Sequence, residues 1–140
     1  MSEENVISFI EATDAFNRMG ERVEANLEDL QTFLRSMDDE VRFEPVQAAI
    51  EGGYVGHAGV IRWLGDLAQE FVSGHMEFSD VRDLNDCVLA LGTLRTKGRR
   101  SGVETEVPVA ILAHYKNGLL THLKDYGDTR QALEAAGLSE

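Results

Sequence analysis

An α+β domain is predicted by three observations. Two amphipathic helical stripes open the chain, four strand-like runs separated by turn signals follow one another in its second half, and a capped helical segment closes it. Helices segregated in sequence from strands that are joined by short turns pack as a layer over one face of an antiparallel sheet. Residues 1–140 are assigned to one domain, a length that can bury most of its apolar surface around a single core.

The first stripe is Val6, Phe9, Ile10, Thr13 and Phe16, with Ser2 as N-cap and Gly20 as the stop. The second, Val23, Leu27, Leu30, Leu34 and Met37, follows after a turn and is expected to end in the acidic run Asp38–Asp39–Glu40. Val41 and Phe43 then alternate with Arg42 and Glu44 before Pro45, the pattern of a short strand. After the loop "EGGYVG", a stripe of Val60, Ile61, Leu64, Leu67, Phe71 and Val72 predicts a third helix closed by Gly74. Strands are expected at about 76–84, 87–98, 103–116 and 119–127, with turns at "ND", "GRRSG" and "NG". Asp128, with Gln131 three residues on, starts a terminal helix that Gly137 stops.

Charge and composition exclude several functions. A net charge of −12 repels phosphate backbones, and the one basic cluster, Lys97 to Gly102, contains no aromatic residue, so no nucleic-acid partner is expected. No apolar run approaches the roughly 18 residues of a membrane span, and "MSEENVISF" lacks a basic start. A cytoplasmic protein with no membrane partner is expected. Cys87 stands alone among apolar residues, which fits a buried inert thiol in a reducing compartment. His57, His75, His114 and His122 form no ligand spacing, and the glycines around His57 lack the lysine of a phosphate loop. No metal and no cofactor are expected, and for His57 a helix-entry role is favoured over a catalytic one.

Three features bear on assembly and chemistry. "VPVAILA", Val107 to Ala113, is apolar at every position, so both faces of that strand need cover. A second subunit is the favoured cover, and a second layer of the same chain is the alternative. Asp125 shares a strand face with Leu119, Thr121 and Leu123, and so ends an apolar stripe, where desolvation raises a carboxyl's pKa and suits it to proton transfer. Its plainer role is a carboxylate at the strand exit, solvated or capping the helix that begins near Asp128. Glu44 is either an edge acid beside Arg42 or a base aimed into a pocket.

The segments "AFNRMGE", "DDEVRFEPV", "GGYVGHAGVIRWL", "KGRRSGVETEVPVAI" and "LKDYGDTRQALEAAGL", in that order, resemble the SnoaL-like branch of the nuclear transport factor 2-like superfamily. The resemblance implies a cone-shaped α+β barrel, with a curved antiparallel sheet around a pocket closed by the N-terminal helices, and a homodimer through the outer face of the sheet. Similarity to ketosteroid isomerases implies Glu44 as the general base, while their oxyanion donors fall on Ala12 and Ala110, which have no side-chain donor. Similarity to limonene-epoxide hydrolases implies Asp125 as the water-activating acid, with Arg95 present but without its partner carboxylate. The resemblance also implies that Phe16, Trp63, Leu112 and Leu123 hold an apolar, cyclic small molecule. The expectation is a proton-transferring enzyme of isomerase, cyclase, dehydratase or hydrolase type, with Glu44 and Asp125 catalytic; the alternative is a ligand-binding or scaffold protein of the same fold.

Overall fold

The computed structural model describes residues 2–21, 27–45 and 53–138. Among them run α1 (Ser2–Glu21), α2 (Leu27–Arg35), β1 (Met37–Glu44), β2 (Tyr54–Val55), α3 (Gly56–Glu70), β3 (Phe71–Asp83), β4 (Cys87–Gly98), β5 (Glu104–Lys116), β6 (Leu119–Asp125) and α4 (Thr129–Ala135). The strands make one curved, unclosed sheet in the order β2-β1-β6-β5-β4-β3. This is the α+β architecture the sequence predicts, with the helices leading and the strands following. The sheet is mixed, because β1 pairs parallel with β6 while the other neighbours are antiparallel.

Two boundaries differ from expectation. The second helix stops at Arg35, where the Ser36 hydroxyl donates to the Phe33 carbonyl at 2.6 Å, so Met37 and the three acids after it belong to β1. Val23 lies outside the described residues. The third helix stops at Glu70, and Phe71 adopts φ −125°, ψ 144°, so Phe71 and Val72 open β3 instead of closing the helix. A short apolar run fits either period, and here the pairing partners on β4 decide. The sheet bends at a register shift between Phe78 and Asp80, opposite Gly92. A Cβ at Gly92 would lie 2.0 Å from the Glu77 carbonyl oxygen, so only glycine lets the strands approach there.

The concave face carries the main core. Phe9 and Phe16 of α1, Phe33 of α2, Trp63 of α3 and Val41 and Phe43 of β1 pack against Val88, Ile111 and Leu123. Ile10 stays largely exposed although the helical stripe included it. On the convex face, Cys87, Leu89, Ala110 and Leu112 pack under Ala132 and Leu133 of α4. The second face of "VPVAILA" is therefore covered, from Ala110 to Leu112, by a layer of the same chain. Helix α4 is held at both ends as the sequence predicts. Asp128 Oδ1 accepts from the Arg130 and Gln131 N–H groups, and the Gly137 (φ +78°) and Leu138 N–H groups return to the Glu134 and Leu133 carbonyls.

Strand β3 is a sheet edge, and α1 blunts it. The Asn17 side-chain amide donates to the Met76 carbonyl at 2.9 Å and its oxygen accepts from the Met76 N–H at 2.7 Å, imitating a strand neighbour. Asn17→Ala leaves both backbone groups without these bonds and is expected to cost about 1–3 kcal/mol of stability. A urea titration reads this as a lower midpoint with an unchanged slope.

Candidate functional site

A cavity of about 380 Å³ lies between the concave face of the sheet and helices α1, α2 and α3. Its floor is aromatic. Phe16 stacks on Trp63 with centroids 5.6 Å apart and planes 16° apart, and Phe43 meets Trp63 tilted by 53° at 4.6 Å. These rings converge because α1, α3 and β1 each turn one apolar stripe inward. Trp63 is 5% exposed, and its Nε1–H is buried with no acceptor among the described residues. Several hydroxyls on the wall are already engaged. Thr13 donates to the Phe9 carbonyl, and Thr96 and Thr105 bond each other at 2.7 Å across β4 and β5. Burial also pushes the Tyr115 phenol upward, against a hydrogen bond with Ser8, so it stays neutral.

Asp125 is the one carboxylate among the described residues lining this cavity. It is the last residue of β6, paired in register with Ile111, and the turn after it folds Gly127 back. Oδ1 accepts from the Ala110 N–H at 3.0 Å and from the Gly127 N–H at 2.9 Å. Oδ2 makes no hydrogen bond to any described residue. Burial raises the pKa above the ordinary Asp value, and the two N–H groups, which favour the anion, offset only part of that shift. One oxygen is thus anchored by the backbone while the other is free to exchange a proton. Sequence identifies Asp125 itself, but not these backbone donors, which only the β5–β6 register brings to it.

Of the residues singled out from sequence, Asp125, Phe16, Trp63 and Leu123 line this one cavity. Glu44 and Leu112 are not among its described lining residues. In β1 the burial alternates so that Val41 and Phe43 point into the core, which leaves Arg42 and Glu44 on the convex side. Glu44 Oε2 there accepts from His122 Nε2 at 2.5 Å, with Arg42 at 3.8 Å, and the His114 ring stacks on His122 at 5.8 Å. The bond from His122, reinforced by Lys124 and Arg42, holds the Glu44 pKa below its ordinary value despite some desolvation. Leu112 falls one residue out of phase with Ile111, and packs with α4 on the convex side. The histidines look scattered in sequence; the β5–β6 pairing of His114 with His122 makes them neighbours.

The remaining assignments are structural. His57 Nε2 donates to the Met37 carbonyl at 3.0 Å and ties the start of α3 to the start of β1. Cys87 is buried, and desolvation with nearby Asp86 raises its thiol pKa, so it is a poor nucleophile. Among the described residues no group of three or more His, Cys, Asp or Glu side chains is placed to hold a metal ion. No helix among them is long and apolar enough to cross a membrane.

Comparison with solved structures identifies the fold. The chain is similar to a nuclear transport factor 2-like protein of unknown function from Burkholderia pseudomallei, with TM-score 0.75 and 18% identity over 94% of this chain and 95% of the other. It is similar to TerC co-crystallised with polyporic acid, with TM-score 0.74 and 17% identity over 96% and 98% of the two chains. It is also similar to a candidate SnoaL-like polyketide cyclase from a Jannaschia species, with TM-score 0.72 and 15% identity over 89% and 85%. No family model matches the sequence, and no curated protein matches it. The chain has the nuclear transport factor 2-like fold, the α+β cone of the SnoaL-like and ketosteroid isomerase-like proteins.

The raised pKa of Asp125 has a consequence for stability. Its protonated form is the one the folded state favours, so its contribution is fully present below the ordinary Asp pKa and is lost as pH rises through the raised folded value. Asp125→Asn keeps an oxygen acceptor for both N–H groups and removes the buried charge. Thermal melts at neutral pH are expected to show a higher Tm for Asp125→Asn than for the parent, with the gap closing in acid.

Proposed function

We propose that the protein is a small-molecule enzyme that moves a proton on an apolar, cyclic substrate held in the 380 Å³ cavity, with Asp125 as the proton-transferring group. The observation that carries this reading is a carboxyl with one oxygen anchored and one free, at the edge of an otherwise apolar chamber. Trp63, Phe16 and Leu123 present flat and aliphatic surface to a ring. Protonated Asp125 donates from Oδ2; ionised Asp125 accepts there while Oδ1 stays fixed. The reaction belongs with isomerisations, cyclisations, dehydrations and hydrolyses that need one positioned acid or base and no cofactor. A neighbour co-crystallised with polyporic acid and a candidate polyketide cyclase support a small-molecule ligand.

The binding-protein reading is favoured by one observation. Ala12 lines the cavity where the isomerases carry an oxyanion donor, and it offers none. Paired carboxyl variants separate the two. On a substrate found by screening, Asp125→Asn is expected to cut turnover by roughly 10²–10⁴-fold, while Glu44→Gln, outside the cavity, leaves it nearly unchanged. Unaltered turnover in Asp125→Asn would assign the protein to ligand binding.

A cytoplasmic homodimer completes the proposal. With Ala110 and Leu112 covered by α4, the exposed apolar residue outside the cavity near the start of β5 is Val103, 56% exposed in the turn before it, and dimerisation rests there. Sedimentation at micromolar concentration is expected to give twice the mass of the chain, and a monomer would remove the dimer.

A further inference from the structure

A second cavity, of about 340 Å³, adjoins the first and differs from it in carrying a cation. It lies between the end of α1, α2, α3 and the start of β3, and its wall includes Leu30, Leu64 and Val72. Phe16, Leu67, Phe71, Leu94 and Thr96 line both cavities and so stand between them. Ile61, 45% exposed and without an evident reason to face solvent, lines the second cavity as well. Arg99, from the turn between β4 and β5, completes the lining.

Arg99 is held in place before any ligand arrives. Its backbone N–H donates to the Glu70 carbonyl at 3.0 Å, Nε–H to the Ala68 carbonyl at 2.9 Å and Nη2–H to the Phe71 carbonyl at 3.3 Å. These bonds gather the last carbonyls of α3, where the helix dipole favours a cation. Carbonyls do not neutralise its charge, and among the described residues no carboxylate pairs with it. Nε and one Nη2 proton use two of the guanidinium's N–H groups, so Nη1 and the second Nη2 proton remain for another acceptor. A fixed guanidinium loses little freedom on binding, and its fork geometry matches a carboxylate. Acid in a chain of net charge −12 would otherwise be repelled; here the local cation offsets that field.

Resting on the cavity reading above, we propose that the ligand is an apolar molecule ending in a carboxylate, with the carboxylate on Arg99 and the apolar body running through the second cavity into the first. The substrate class thereby narrows from an apolar, cyclic molecule to one that also carries a carboxylate. The proposal assigns Arg99 to head-group recognition, away from the proton chemistry at Asp125.

Dodecanoate and dodecanol, each below its aggregation limit, are the probes, and isothermal titration with Trp63 fluorescence as a second signal is the measurement. The parent is expected to bind dodecanoate at least about tenfold tighter than dodecanol, as one charge-assisted contact predicts. Arg99→Gln is expected to lose that preference while keeping dodecanol affinity, and Arg99→Lys to keep part of it. Equal affinity of the parent for acid and alcohol overturns the head-group assignment and leaves the cavity reading standing. A parallel loss of both ligands in Arg99→Gln also overturns it, because Arg99 would then act only through the end of α3. Failure of both probes to bind the parent overturns the cavity reading together with this one.

Discussion

The parallel pairing of β1 with β6 is the constraint on which the rest of the molecule depends. It sets Phe43 opposite Leu123 and Glu44 opposite Lys124, and so decides which side of the sheet each β1 side chain occupies. A slip of one residue would turn Val41 and Phe43 to the convex side and Glu44 into the cavity, with every apolar contact of β1 lost. The aromatic floor depends on the same register, since Phe43 braces Trp63 and Trp63 stacks on Phe16. Each aromatic pair adds about 0.5–1.5 kcal/mol beyond its buried area, so the floor and the register stabilise one another. The Glu44–His122 contact fastens the same two strands from the outside.

This division of labour separates the two carboxylates by environment. Glu44 sits among cations and a histidine donor, where the charged form is favoured and proton exchange at neutral pH is not. Asp125 sits against apolar walls with two backbone donors on one oxygen, where burial outweighs hydrogen bonding and the proton is held more tightly. Sequence presents both as acids at strand ends, one before a proline and one before a tyrosine. Solvation and partners, not residue type, make one an ion-pair residue and the other a candidate acid–base group.

The convex face shows how a chain of this size handles surplus apolar surface. A strand apolar on both sides must be covered twice, and α4 supplies the second cover over Ala110 and Leu112 within the same chain. Its seven residues are short for an isolated helix, so the Asp128 cap, the Gly137 stop and the buried Ala132 and Leu133 carry it. Val107 points to the other, concave side, where it lines the cavity and stays 46% exposed.

The sequence by itself determined the class of fold, the order of helices and strands, the meander of β3 to β6 and both caps of α4. Local periodicity and turn chemistry act over a few residues, and a reader of the chain sees them directly. The resemblance carried by its motifs implied Phe16, Trp63 and Leu123, the end of an apolar stripe pointed to Asp125, and all four line one cavity. Tertiary structure alone decided the parallel direction of β1, the strand state of Phe71 and Val72, the convex placement of Glu44 and Leu112, and the meeting of His114 with His122. Those outcomes follow from pairing between segments tens of residues apart, and strand parity, which no local pattern encodes, turns a side chain inward or outward by a shift of one residue.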